Sequence, residues 1–261
     1  MRVYDTTLDA PYGAAYDTAY GTAASETAFL PTDLVSLEEW YDVQTGLTDS
    51  GGTVTGWSDR SSNSYSLSVA GNPQTGADTI NSLPTVTFDG AGDALSVTSV
   101  TYSNSHTVVL VAHCVAANGD NNESVFSADG GSQDYQVRNA NTTECRYSIN
   151  GIAGSAPTVD QVGATRIVSI EYDAAGGNAT CYIDGVMASQ NTSFLGVISA
   201  TKTIIGANRP MNTYWDGYVA DLVHFNEADS DNRQKVEGYL AHKFALTGSL
   251  SAGHPYKSAP P

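Results

Sequence analysis

Cutting a glycosidic bond takes two carboxyl groups flanking one sugar linkage, and on a strand that means acids of the same parity. Two stretches bring acids close together. Glu38-Glu39-Trp40-Tyr41-Asp42 sets two acids side by side, and alternation sends them to opposite faces of a strand. Glu171 and Asp173 share a parity, but no third acid continues the row. Both stretches read as solvated strand faces or edges. No G-x-S-x-G elbow or phosphate-binding loop occurs. His106, His113, His224, His242 and His254 are not spaced for zinc on one element. The expectation is a non-enzyme with no required cofactor.

Calcium is the candidate metal. Asn118-Gly119-Asp120-Asn121-Asn122-Glu123 gathers hard oxygen ligands in one loop, with Asp120, Asn122 and Glu123 foremost. Calcium takes about six to eight oxygens, so carbonyls, waters or another loop would complete the shell. The plain alternative is an acidic loop between strands.

Sugar recognition needs a flat aromatic and a few polar side chains aimed at hydroxyls. Tyr214 and Trp215 stand beside Asn208, Arg209 and Asn212, the first candidate set. Tyr135, near Asn139 and Asn141, is the second. Trp215 also reads as a core or edge aromatic of the last strand, and Trp40 and Trp57 read as core.

Residues 1–30 differ from the rest. Tyr4, Tyr12, Tyr16 and Tyr20 alternate with Ala, Thr, Asp and Gly. Pro11, Gly13 and Gly21 argue against a helix. The segment reads as an extended anchoring arm. Its tyrosines would pack on another chain, either a copy of this one or a different protein.

The net charge is −17, from 28 acidic and 11 basic residues. Such a field repels nucleic acid and anionic membranes and favours solubility. No apolar run approaches the ~18 residues of a membrane span. The N-terminus lacks the apolar segment of a signal peptide. Cys114, Cys145 and Cys181 cannot all pair and form no C-x-x-C; they read as small buried residues of a protein made in a reducing compartment.

The elements that must position these groups are strands. Candidates are 35–41, 53–57, 65–69, 85–88, 94–97, 106–115, 124–127, 135–138, 146–149, 166–172, 179–183, 202–205 and 217–225, separated by Gly, Asn, Asp and Ser turns. Residues 106–115 are apolar on both faces and belong in the middle of a sheet. In 166–172, Val168, Ile170 and Tyr172 alternate with Ser169 and Glu171, the pattern of a half-exposed strand. Asp184-Gly185 is a tight hairpin signal. One helix follows: Val236, Tyr239, Leu240 and Phe244 form an apolar face, and Gln234, Lys235, Glu237 and His242 lie opposite. Asp229 or Ser230 would cap it and Gly248 would end it. Gly238 within it reads as a close approach to the sheet. The domain organisation is an arm over 1–30, one sandwich over 31–247 and a tail over 248–261.

Four pieces of sequence resemble the concanavalin A-like lectin/glucanase superfamily in its laminin-G-like form. They are Trp57-Ser58-Asp59-Arg60-Ser61, Leu83-Pro84-Thr85-Val86-Thr87-Phe88-Asp89-Gly90, Cys181-Tyr182-Ile183-Asp184-Gly185-Val186, and Ile205-Gly206 with Trp215–Phe225 and the terminal helix. Together they span about residues 34–247. The resemblance implies an all-β, antiparallel two-sheet jelly-roll sandwich with one C-terminal amphipathic helix. It also implies a glycan site on the concave face or at an edge. Glucanases of this superfamily carry E-x-D-x-x-E or E-x-D-x-E along one strand, and no such run is present.

The functional expectation is a non-enzymatic virion surface protein, head decoration or tail-associated, displaying a lectin-like jelly roll toward cell-surface glycans. The alternative is a free or bacterial-surface carbohydrate-binding adhesin domain. A glycan hydrolase with rearranged carboxylates is the third reading.

Overall fold

The structure, a computed structural model, describes residues 28–116, 123–129, 134–139, 145–149, 152–156, 162–192 and 199–261. Tyr4, Tyr12, Tyr16 and Tyr20 lie outside the described residues.

Two antiparallel sheets form the jelly-roll sandwich that the resemblance implies. The first runs in the order β15 (Val186–Asn191), β14 (Asn178–Ile183), β13 (Thr165–Asp173), β8 (Ser105–Ala116), β17 (Asp216–Phe225), β6 (Leu83–Asp89), β5 (Gln74–Ile80), β3 (Thr53–Trp57) and β2 (Leu47–Ser50), and β1 (Leu37–Tyr41) also pairs with β17. The second runs β12 (Ile152–Ala156), β11 (Cys145–Ile149), β10 (Asp134–Asn139), β9 (Glu123–Asp129), β16 (Lys202–Ile205), β7 (Ala94–Thr98) and β4 (Ser68–Ala70). Phe88, Leu95, Leu110, Phe126, Ile170 and Ile205 are buried in one cluster between the sheets. Each such side chain contributes about 1.5–3 kcal/mol.

The strongest sequence signals hold. The apolar strand β8 lies centrally between β13 and β17. Asp184 and Gly185 both take positive φ and turn β14 into β15, as a two-residue hairpin requires. Cys114 and Cys181 are buried in β8 and β14, and Cys145 opens β11. Other elements depart from the pattern. The first strand begins at Leu37, with Val35 fully exposed before it. The expected strand 65–69 is displaced to Ser68–Ala70. The polar strands β2, β5, β12 and β15 carry too few β-branched and aromatic residues to be read from propensity.

Helix α1 (Ser230–Lys243) packs on the outer face of the first sheet. The Asp229 carboxylate accepts the Asn232 N–H, as expected of the cap. The helix ends before Gly248. Ala245 takes φ +55, Leu246 N–H reaches the Ala241 carbonyl at 2.7 Å and Ala245 N–H reaches that of His242 at 3.4 Å. This is a Schellman closure with alanine where glycine is usual.

Val236, Tyr239, Leu240 and Phe244 are buried, as their spacing requires. Glu237, placed opposite them by periodicity, is buried as well. It is covered on one side by Ser169 of β13 and on the other by the C-terminal segment, which folds back over the helix. His254 Nε2 lies 3.1 Å from Glu237 Oε2, and a Cβ on Gly238 would sit 2.4 Å from Tyr256 Cβ. Gly238 therefore marks a close approach to Tyr256 of the tail and not to the sheet. The expected half-exposed strand at 166–172 is likewise covered on both faces. Ser169 is buried and donates to Glu237 Oε1 at 2.6 Å.

Buried ion pairs fasten the helix. Arg233 reaches Glu237 at 2.7 Å and Glu171 at 3.5 Å, and lies 3.5 Å over the Tyr182 ring. Lys243 Nζ sits 2.6 Å from Asp221 and 2.9 Å from Asp42. Phe29 meets the edge of Tyr239, and its N–H points to the Pro261 carbonyl, so residues 29 and 261 adjoin beside α1.

Candidate binding face on the first sheet

Polar residues interrupt several otherwise apolar strands of the first sheet, and pairing brings them into one line. Gln74 of β5 pairs with Thr87 of β6. Thr87 pairs with Tyr218 of β17. Tyr218 pairs with His113 of β8, and His113 with Thr165 of β13. Neighbouring strands lie about 4.8 Å apart, so four steps give a row about 19 Å long. His113 shares its parity with Val109, and Thr165 with Ser169, so the row lies on the face that α1 covers further along. The helix stops short of it, and all five side chains remain half-exposed.

At the centre the His113 and Tyr218 rings stack, with centroids 4.4 Å apart and planes 4° from parallel. His113 Nδ1 is 3.0 Å from Thr165 Oγ1. On the other flank Thr87 Oγ1 donates to Asp78 Oδ2 at 2.9 Å. Burial lowers the pKa of His113 against the pull of Asp78, so the imidazole is neutral at pH 7. Burial, then Asp78, raises that of Tyr218, which keeps its hydroxyl. The result is a flat, uncharged aromatic surface bordered by hydroxyls, an amide and the Asp78 carboxylate, with Asp216 and Asp89 paired two residues further along β17 and β6. Such a surface can stack on a pyranose and hydrogen-bond its hydroxyls.

The sequence candidates fall elsewhere. Asn208 is buried and ties its own loop: its Oδ1 accepts from Asn212 N–H at 3.0 Å and Thr213 N–H at 3.1 Å, and its Nδ2 donates to Asn212 Oδ1 at 2.8 Å. Tyr214 donates to the Met211 carbonyl. Trp215 is only 4% exposed and offers no open platform, as its alternative reading as a core aromatic has it. Arg209 is half-buried in the same loop. The loop holds these residues together, but as a self-satisfied turn. Tyr135 lies on β10, with its side chain outside the described residues. Asp120 and Asn122 are also outside them, and Glu123 is buried at the start of β9. Among the described residues no three His, Cys, Asp or Glu are grouped to share a metal.

The acids at 38–42 are not a solvated face. A bulge between Leu37 and Glu39 turns both glutamates inward. Glu38 accepts from Tyr65, Thr101 N–H and Asn226. Glu39 is fully buried between the sheets. Its Oε1 accepts from Tyr41 at 2.8 Å, and its Oε2 accepts from Thr203 at 2.8 Å and lies 3.0 Å from His224 Nδ1. Burial pushes the Glu39 pKa up to about 8 and those of His224 and His106 down to about 3. The cluster is neutral at pH 7, and Tyr102 stacks on His224 at 4.3 Å. It fastens β1 and β17 of one sheet to β16 of the other. Glu171 and Asp173 do not act together either: Glu171 faces Arg233, and Asp173 accepts Gly176 N–H in its own turn.

No protein-family model matches the chain, and no curated protein matches it in sequence. Solved structures show the fold. Domain 4 of AbnA, a GH43 extracellular arabinanase from Geobacillus stearothermophilus, solved with arabinotriose, aligns at TM-score 0.56 and 13% identity over 76% of this chain and 96% of that one. The binding domain of Paraclostridial Mosquitocidal Protein 1 aligns at TM-score 0.59 and 11% identity over 81% and 53%. Trypanosoma rangeli sialidase in complex with sialic acid aligns at TM-score 0.57 and 17% identity over 81% and 34%. The chain thus spans about half of the second and a third of the last. It shares the β-sandwich fold of these structures.

Proposed function

We propose that this chain is a non-enzymatic glycan-binding module whose binding face is the row Gln74–Thr87–Tyr218–His113–Thr165. The stacked His113–Tyr218 pair at the centre of that row carries the reading. The arabinanase domain solved with arabinotriose, which this chain covers almost whole, supports sugar binding by this architecture. The module needs no cofactor. Calcium at Asp120, Asn122 and Glu123 would serve as a loop brace.

The narrower form places the module on a virion surface, anchored by residues 1–30 to other virion proteins or to its own copies. The tyrosine-rich composition of that segment supports it. The alternative is a bacterial-surface adhesin domain. A glycan array probed with the native chain and with Tyr218→Ala tests the binding reading. Binding by the native chain that Tyr218→Ala removes is expected, and a variant that binds as the native chain does would refute the assigned face.

A further inference from the structure

We infer that the row takes a linear, uncharged oligosaccharide laid across the strands, and that it reads both chain length and the absence of acidic groups. This rests on the glycan-binding reading above. The argument for length is geometric. Four consecutive pairings join Gln74, Thr87, Tyr218, His113 and Thr165 without an offset between them. The row is therefore straight and crosses the strands. Its polar groups recur at the strand spacing of about 4.8 Å, close to the advance of one sugar in an extended pyranose chain. A single sugar would cover the His113–Tyr218 stack alone. Further units would reach Thr165 on one side and Thr87, Asp78 and Gln74 on the other, up to about four in all.

The argument for a linear ligand comes from the neighbouring helix. Ser169 of β13 lies beneath α1, and Thr165 lies four residues before it on the same face. A branch directed toward α1 would meet the helix. The argument for charge comes from Asp78. It acts electrostatically on both His113 and Tyr218. Its Oδ2 is held by Thr87, while Oδ1 has no donor among the described residues. An ionised carboxylate only accepts hydrogen bonds. Sugar hydroxyls supply the donors it needs, whereas a sialic or uronic acid would set a second carboxylate against it.

Calorimetric titration of the full chain tests the inference. The probes are neutral linear oligosaccharides of one to six units in the chito-, cello-, malto- and arabino- series, with oligogalacturonides and sialylated oligosaccharides as acidic counterparts. Within a neutral series that binds, Kd should fall roughly tenfold or more from one unit to four and then level off. Acidic ligands should bind at least about tenfold more weakly. Gln74→Ala should flatten the gain from the last unit. Tighter binding of acidic ligands, or a single sugar bound as tightly as four, would overturn the inference; if such binding still required Tyr218, the glycan-binding reading would stand. No binding of any series, or binding indifferent to Tyr218→Ala, would overturn both.

Discussion

Tyr218 and His113 face each other across β17 and β8, with rings stacked 4.4 Å apart on the outer face of the first sheet. Both rings are partly buried, and Tyr218 also packs against the core. Removing either ring halves the platform, and a stacked aromatic is worth about 0.5–1.5 kcal/mol beyond its area. Tyr218→Ala and His113→Ala should each weaken glycan binding by roughly tenfold. Both variants should keep the unfolding free energy from urea titration to within about 1 kcal/mol of the native value, since the site is half-exposed.

The buried cluster of Glu39, His224 and His106 has its own pH signature. Glu39 titrates at about 8 in the fold against 4.5 ordinarily, so its contribution is present below pH 4.5 and is lost as pH rises through 8. His224 and His106 titrate at about 3 against 6.5, so theirs is present above pH 6.5 and is lost as pH falls toward 3. Between pH 4.5 and 6.5 the unfolded chain gains two protons on the histidines while the fold holds one on Glu39, and stability rises with pH. Above 6.5 only Glu39 differs, and stability falls. The cluster's contribution should peak near pH 6.5, with slopes on the order of 1 kcal/mol per pH unit. Glu39→Gln mimics the protonated acid and should abolish the decline between pH 6.5 and 8 in urea titrations.

Much of the scaffold was legible because it rests on local periodicity. The run 106–115, the Asp184-Gly185 turn and the apolar stripe of the helix each carry their signal within a few residues. The burial of Glu39 was not legible, because a bulge reverses the alternation that would have placed it outside. Nor was that of Glu237, because the covering segment lies 17 residues away at His254. The proposed row was not legible for a stronger reason: Thr87, His113, Thr165 and Tyr218 come from four distant segments, and only register aligns them. The available clue was His113 itself, a polar residue inside an apolar strand.

Ala245 closes the helix at φ +55, a conformation that costs a residue with a Cβ about 1 kcal/mol. Ala245→Gly should therefore stabilise the fold by about 0.5–1 kcal/mol by urea unfolding. Unchanged or lowered stability would mean that the left-handed closure does not form.

Lys243 is buried with Asp42 at 2.9 Å and Asp221 at 2.6 Å. Burial raises the pKa of Asp221 to about 6, even with the ammonium beside it. Lys243→Met strands two carboxylates and should cost about 3–5 kcal/mol. Adding Asp221→Asn should recover part of that loss, and a double-mutant cycle in urea measures the coupling.

The location of bound sugar is the most direct test of the binding face. Backbone amide and imidazole resonances of the full chain, recorded while a neutral oligosaccharide identified by the array is titrated in, report where it sits. The expected result is a band of shifts confined to Thr87, Tyr218, His113 and Thr165 and their strand neighbours, with the His113 ring moving most. Shifts centred on the Asn208–Trp215 loop or on the second sheet, with His113 unmoved, would contradict it.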